Sequence, residues 1–288
     1  MARRNTGFFI NHNSMKMKMI VTGSAGFIGK ALCQELRKRA VEVIEIDRVT
    51  GQEASTIGEY LKDGDVACVF HLAAQTSVFN DDLAQIRKDN IDTFMIVADE
   101  CERYHVKLVY ASSSTANLCN ITSMYGISKH FDEQYASIYC KNATGVRLHN
   151  VYGPNPRNRT LLWYLLNRDK VELYNYGQNI RCFTYIDDVI EGLIYAVGCH
   201  KPLVNIANVE PVTVLHFANL VNYYKSVDIE LVGEKREFDN LEQQVNQGIY
   251  LVPLSYMPVE RGIEKVFARR RKEDPQKMRR RRNRKFCK

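Results

Sequence analysis

The stretch Thr22-Gly23-Ser24-Ala25-Gly26-Phe27-Ile28-Gly29 constrains this chain more than any other. It stands between a short apolar run, Met17–Val21, and a run of helical patterning that continues to Arg39. A strand that gives way to a helix within so few residues needs a turn free of side chains. Three glycines, three apart, meet that need. The first permits the tight turn, the second lets backbone approach a pyrophosphate, and the third lets the helix pack close to a sheet. The helix then presents unpaired N–H groups and the positive end of its dipole to the anion. With a strand before it and a helix after it, the triplet reads as a dinucleotide-binding turn rather than a chance spacing.

A second strand, Val41–Ile46, ends in Asp47, 18 residues beyond Gly29. A carboxylate there accepts from a ribose 2′-hydroxyl and repels a 2′-phosphate, so the pattern predicts NAD rather than NADP. The plainer alternative is an aspartate that closes a strand-end turn, and Arg48 beside it leaves room for a 2′-phosphate.

Strand-like and helix-like segments then alternate. A short helix is expected over Ser55–Lys62, and a strand over Val66–Leu72 that runs into Ala73-Ala74-Gln75-Thr76-Ser77. A long helix follows from Asp82 to His105, then a strand at 107–111, a helix to Tyr139 and a strand at Gly145–His149. This alternation predicts an α/β fold with a parallel, doubly wound sheet. Beyond Asn155 the pattern loosens into a smaller, mixed region. Helices are expected near Leu161–Asn167, Asp187–Val197, Leu215–Tyr224 and Val259–Phe267, and short strands near Val171–Tyr174, Cys182–Tyr185 and Val204–Ile206. The expected organisation is a loose extension over 1–14, a dinucleotide-binding domain over 15–155 to which 178–208 returns, a substrate-binding region from 156–177 and 209–268, and a basic tail over 269–288.

The chemistry is concentrated in Ala111–Lys129, which reads ASSSTANLCNITSMYGISK. Hydroxyls end the strand at Ser112, Ser113 and Ser114, and Tyr125 and Lys129 follow four apart. On a helix that spacing puts both side chains on one face. An ammonium beside a phenol favours phenolate, which suits a tyrosine that takes and returns a proton near neutral pH. A serine hydroxyl is then at hand to hold the same substrate oxygen. Alone, such a pair is as readily an ordinary exposed helix face.

Composition narrows the partners. A chain of 288 residues, 45% of them hydrophobic, can bury a sizeable core. The net charge of +7 resides in the tail: Arg269–Lys288 holds 12 Lys/Arg against two acids, which leaves the other 268 residues at about −3. The body therefore gives no reason to expect a nucleic-acid binder. The tail reads as a disordered, solvated end, and contact with nucleic acid or anionic lipid is open only through it. The eight cysteines, among them Cys68, Cys119 and Cys199, show neither a zinc spacing nor a disulfide framework, and no metal is expected. The apolar run Phe8–Ile10 is too short for a signal peptide, and no stretch approaches the ~20 apolar residues of a membrane span. A cytoplasmic protein is expected.

With these pieces placed, the chain resembles the extended short-chain dehydrogenases/reductases, the NAD-dependent sugar-nucleotide epimerase/dehydratase family. The matching residues are TGSAGFIG at 22–29, HLAA at 71–74, ASSS at 111–114, YGISK at 125–129, RLHNVYGPN at 147–155, RCFTYIDDV at 181–189 and VNIAN at 204–208. They occur in the family's order, and the resemblance covers about residues 15–268. It implies a Rossmann-type sheet, NAD as cofactor and a nucleotide-diphosphate sugar as substrate. Gly23, Gly26, Phe27, Ile28 and Gly29 would hold the pyrophosphate, and Asp47, with Arg48 beside it, the adenosine ribose. Leu72, Ala73, Ala74 and Ser112 would line the cofactor path. Tyr125 would be the acid/base and Lys129 would bind the nicotinamide ribose and tune Tyr125. Ser114 would hold the sugar hydroxyl, and Asn150 and Arg181 the substrate diphosphate. A homodimer through the helices at 82–105 and 124–139 is implied by the same analogy.

The departures are informative. Ala116-Asn117-Leu118 stands where the family has Val-Tyr-Gly, and the interval from Ser114 to Tyr125 is short for a sugar-nucleotide member. The segment from Asp47 to Val66 is short as well, so one strand of the sheet is expected to be missing. Dehydratases of the family resemble one another in an Asp-Glu pair beside the active hydroxyl, and sugar-acid decarboxylases in a glutamate. This chain has Ser113-Ser114-Thr115. The simplest cycle left is transient oxidation at C4 and hydride return, a 4-epimerase. A 4-ketosugar reductase or a dehydratase is the alternative within the family, and a non-catalytic NAD or nucleotide-sugar binding protein the alternative outside it. His149 reads as a satisfied core histidine before a packing partner of the nicotinamide, and Cys119 is given no role.

Overall fold

The computed structural model describes residues 17–80, 82–237, 239–243 and 245–273. The expected extension at 1–14 and the basic tail beyond 273 lie outside them. In chain order the elements are β1 (Lys18–Thr22), α1 (Phe27–Lys38), β2 (Glu42–Ile46), α2 (Gly58–Leu61), β3 (Val66–His71), α3 (Leu83–Ile86), α4 (Thr93–Arg103), β4 (Lys107–Ser113), α5 (Met124–Tyr139) and β5 (Ala143–Leu148). Then come β6 (Val151–Tyr152), α6 (Leu161–Asn167), β7 (Lys170–Leu173), β8 (Ile180–Arg181), β9 (Thr184–Tyr185), α7 (Ile186–Val197) and β10 (Leu203–Ile206). The series ends with β11 (Val212–Thr213), α8 (Val214–Tyr224), β12 (Asp228–Leu231), β13 (Glu242–Gln243), β14 (Tyr250–Leu251) and α9 (Val259–Glu273).

Seven strands form one sheet in the order β14-β10-β5-β4-β3-β1-β2, every neighbouring pair parallel. This is the Rossmann-type doubly wound sheet. The inner strands β1, β3 and β4 are largely buried because both faces of the sheet are covered. Along β1 the two-residue period sends Met19 and Val21 into one buried cluster, with Leu32 and Leu36 of α1 and Val189 and Leu193 of α7. Ile20 points into the other, with Val97 of α4 and Leu108 of β4. Each such fully buried side chain contributes about 1.5–3 kcal/mol relative to an exposed one. The strand order reverses between β1 and β3, and the carboxyl ends of parallel strands beside such a reversal are where open α/β sheets bind ligands.

β2 forms the edge of the sheet, as the short segment after Asp47 led us to expect. The opposite edge is β14, drawn from the 209–268 stretch expected to belong to the substrate region. Smaller sheets, β11-β8-β13 and β12-β7, build the mixed region beside the main sheet. The long helix expected over 82–105 is interrupted: between α3 and α4, Arg87–Asp92 forms π-helical turns. The wider turn brings Asp89 and Asn90 together on the buried side. The last helix outruns the expected end at Phe267, so residues 269–273 of the supposed tail are helical, and Arg269 reaches Asp187 of α7. Apolar residues four, seven and eight positions beyond Val259 share one helix face, and Val259, Ile263, Val266 and Phe267 pack α9 onto the core. Among the described residues no helix is long and apolar enough to cross a membrane.

Candidate active site

The glycine turn adopts the geometry its spacing predicts. Gly23 has φ +69°, a left-handed conformation that side chains resist, and its N–H bonds the carbonyl of Ile46 at the end of β2. A Cβ on Gly29 would lie 2.1 Å from the Gly23 carbonyl oxygen, so only glycine lets α1 pack this close to the turn. A Cβ on Gly26 meets nothing nearer than 3.1 Å. Gly26 caps α1 without a side chain, which leaves the first N–H groups of the helix uncovered. Asp47 closes the other side of the turn: its carboxylate accepts from the Ala25 and Val49 backbone N–H groups, each at 2.9 Å.

The Arg48 guanidinium is engaged by two carboxylates, Glu53 and Asp89. Burial works against the Asp89 charge, but bonds from Arg48, Gln85 and Gln75 outweigh it and hold that carboxyl below the ordinary range. Arg48 is therefore spoken for, and the room it offered a 2′-phosphate is taken. Next to Asp89, Asn90 accepts from the Gln75 N–H at 2.7 Å and donates to the Gln75 carbonyl and the Ser128 hydroxyl, each at 3.0 Å. One side chain thus ties the loop after β3 to α5. At the end of β3, His71 bonds the Thr22 hydroxyl across the strands at 2.8 Å.

β4 extends two residues beyond expectation, to Ser113, and the chain then turns through Ser114-Thr115-Ala116. The Ser112 hydroxyl donates to Glu133 of α5, which also takes two parallel bonds from Arg147 at 2.7 Å. The Ser113 and Thr115 hydroxyls are 2.8 Å apart, and Ser114 donates to Gln243 at 3.4 Å. Ser123 caps α5 by accepting from the Gly126 N–H. A Cβ on Gly126 would lie 2.8 Å from the Thr115 carbonyl, so the start of α5 rests directly on the serine turn. Tyr125 and Lys129 therefore face the same space as Ser114.

That space is a single cleft of about 520 Å³. It runs from Gly23, Gly26, Phe27, Ile28, Gly29, Asp47 and Arg48, past Leu72, Ala73, Ala74 and Ser112, to Ser114, Tyr125, Lys129, Asn150 and Arg181. Every candidate residue named from the sequence lies on its wall. The glycine cradle, the uncovered end of α1 and the Asp47 carboxylate fit a dinucleotide. Lys129 is 2% exposed, with its ammonium 3.0 Å from Asp132. Asn150 sits after β5 with φ 31°, in the left-handed region. Arg181, 5% exposed, is bound to Asp239 at 2.6 Å and to the carbonyls of Ile180, Asn240 and Leu241.

Sequence reasoning missed Asp89, Arg157, Asp239 and Gln243, which also line the cleft. Asp239 and Gln243 arrive from a loop and a two-residue strand with no periodicity to mark them. Asp89 had a signal only in the helical register, which the π turns alter. His149 is a core residue, bonded to Asn205 at 3.2 Å, and Cys119 is exposed outside the cleft. The described cysteines are free thiols, and no cluster of His, Cys, Asp and Glu among the described residues is suited to a metal.

Comparison with known proteins gives consistent relatives. The model of the NAD dependent epimerase/dehydratase family matches residues 19–207. Among curated proteins, an uncharacterized UDP-glucose epimerase of Bacillus subtilis, YtcB, is 29% identical over 71% of this chain and 81% of its own length. Protein CapI of Staphylococcus aureus is 28% identical over 62% of this chain and 68% of its own. Among solved structures, MoeE5 in complex with UDP-glucose and NAD superposes with a TM-score of 0.77 at 24% identity, covering 89% of this chain and 100% of that one. A UDP-glucuronic acid 4-epimerase of Bacillus cereus gives a TM-score of 0.72 at 23% identity, covering 88% and 98%.

Proposed function

The chain belongs to the NAD-dependent epimerase/dehydratase family, and from that premise we propose that it is a nucleotide-sugar 4-epimerase. The observation that carries the reading is the wall of the cleft at Ser113–Thr115. Three hydroxyls stand there beside Tyr125 and Lys129, and among the described residues that line the cleft each carboxylate is already paired. Asp47 is held by backbone N–H groups, Glu53 and Asp89 by Arg48, and Asp239 by Arg181 and Asn179. An elimination needs its own acid and base in addition to the group that moves the carbinol proton. Epimerisation at one carbon needs only that one group.

Gly23, Gly26 and Gly29 with the α1 N-terminus hold the NAD diphosphate in this reading, and Asp47 holds the adenosine ribose. Ala73 and Ala74 leave room along the path, and Lys129 binds the nicotinamide ribose. NAD, when bound, supplies a reversible two-electron acceptor for the carbinol carbon. Tyr125 takes the proton of the sugar hydroxyl and later returns it to the same oxygen, and Ser114 fixes that oxygen by a hydrogen bond. Asn150 and Arg181 bind the substrate diphosphate in this reading, Arg181 by exchanging its present bonds to Asp239 and the carbonyls of Ile180, Asn240 and Leu241 for phosphate oxygens.

Tyr125→Phe tests this directly. Sugar interconversion should fall by about 10²–10⁴-fold, the usual worth of a positioned acid/base, with NAD binding retained. Unchanged interconversion contradicts the assignment. A second reading, reduction of a 4-ketosugar, is favoured by the shortened 47–66 segment and by β2 as the sheet edge, and turnover only with added reduced cofactor would select it. Self-association through α4 and α5 is supported by Ile96, Ile127 and Ile138, exposed on those helices, and light scattering at the mass of two chains checks it.

A further inference from the structure

Asp132 lies one helical turn beyond Lys129 on α5 and is 0% exposed. Its Oδ2 accepts from the Lys129 ammonium at 3.0 Å, and its Oδ1 has no partner among the described residues. Lys129 lines the cleft and Asp132 does not, so the carboxylate reaches the ligand space only through the ammonium. A buried carboxylate with one oxygen unsatisfied is costly, which points to a task beyond packing.

The titratable groups around the pair are few. On α5 they are Tyr125 and Glu133, on β4 Tyr110 and on β3 His71. Glu133 is neutralised by Arg147 of β5, and Tyr110 and His71 are buried. Burial pushes the Asp132 carboxyl up, against the pull of Lys129. Burial also opposes the Lys129 charge, but Asp132, followed by Tyr125, outweighs it and holds that ammonium above its ordinary range.

We propose that Asp132 is a positioning residue of this site: it pins the Lys129 ammonium against the cleft wall and offsets part of the charge that Lys129 presents to the Tyr125 phenol. The ammonium has three donors, and one is spent on Asp132. The other two keep a fixed direction toward the cleft. The pair as a whole is near neutral, so the phenol feels a weaker cation than an unpaired lysine would provide. The proposal rests on Tyr125 as the acid/base of the site. Its test reads phenol ionisation and not turnover, so its failure leaves the epimerase reading standing, and failure of that reading leaves this one testable.

The experiment is an ultraviolet tyrosinate titration of the full chain, each protein measured against its own Tyr125→Phe counterpart so that only the Tyr125 signal remains. In Asp132→Asn the midpoint should fall by about one pH unit, because the cation is left uncompensated. Asp132→Glu, which keeps the charge, should return it to the wild-type midpoint. A folded Asp132→Asn protein that titrates at the wild-type midpoint overturns the proposal, because a merely structural aspartate would lower stability without moving the signal. Should Asp132→Asn not fold, Asp132→Ser, smaller and equally neutral, takes its place: its midpoint should fall in the same direction, and a folded Asp132→Ser protein at the wild-type midpoint overturns the proposal.

Discussion

The backbone N–H of Ala25, in the middle of the glycine turn, is bonded to the carboxylate of Asp47 at 2.9 Å. One side chain at the end of β2 therefore holds the turn in shape and, in the proposed reading, selects the cofactor. Replacing Asp47 with Asn keeps an acceptor for one of the two N–H groups and removes the charge. The ratio of NAD to NADP affinity should fall at least tenfold, chiefly through weaker NAD binding, as followed by fluorescence titration. An unchanged ratio would assign Asp47 to the turn alone.

The glycines of the same turn separate packing from ligand contact. Gly29→Ala forces a methyl to within 2.1 Å of backbone and should destabilise the fold by about 3 kcal/mol, seen as a lower urea midpoint. Gly26→Ala meets no atom nearer than 3.1 Å and should fold almost normally. Its methyl would instead stand where the diphosphate approaches, so NAD binding should drop by tenfold or more. Equal stability losses in both variants would contradict this division.

The buried Arg147–Glu133 pair should behave asymmetrically. Arg147→Met leaves the Glu133 carboxylate enclosed beside Ser112 with its double hydrogen bond gone, at a cost of about 3–5 kcal/mol. Adding Glu133→Gln should recover most of that loss in a denaturation series. No recovery would mean that the arginine matters for its volume and not for its charge.

Two histidines predict the acid sensitivity of the fold. Burial pushes His71 down to about 3, with Lys129 adding to the effect, and pushes His149 down to about 4, partly offset by its bond to Asn205. Both stay neutral in the folded chain where the unfolded chain, titrating near 6.5, takes up protons. Their stabilisation is complete above pH 6.5 and is lost as pH falls toward 4, by about 2.5 kcal/mol each at pH 4.5. His149→Gln should flatten the fall in stability between pH 6.5 and 4.5 relative to wild type. Parallel curves would contradict the neutral, buried state of His149.

Much of the site was legible because its chemistry is local. The glycine turn sits within eight residues, Tyr125 and Lys129 share one helix face, and Asp47 follows a strand of ordinary length. Even the Lys129–Asp132 contact had a signal in its three-residue spacing, although spacing says nothing of burial. What the sequence hid depends on register changes and long-range closure. The π turns bring Asp89 and Asn90 inward against the simple helical period, and Asp239 and Gln243 reach Arg181 and Ser114 across roughly 60 and 130 residues of chain. The continuation of α9 to Glu273 was masked by a basic composition that reads as solvated, while the buried face of the helix lies on earlier residues.

The most direct test is proton NMR of the purified chain with UDP-, dTDP- and GDP-sugars in D₂O, without added reductant. A 4-epimerase inverts C4 of one of these sugars with no deuterium entering a carbon-bound position. Deuterium beside the carbonyl carbon, or an unchanged sugar throughout the panel, would contradict hydride-return epimerisation.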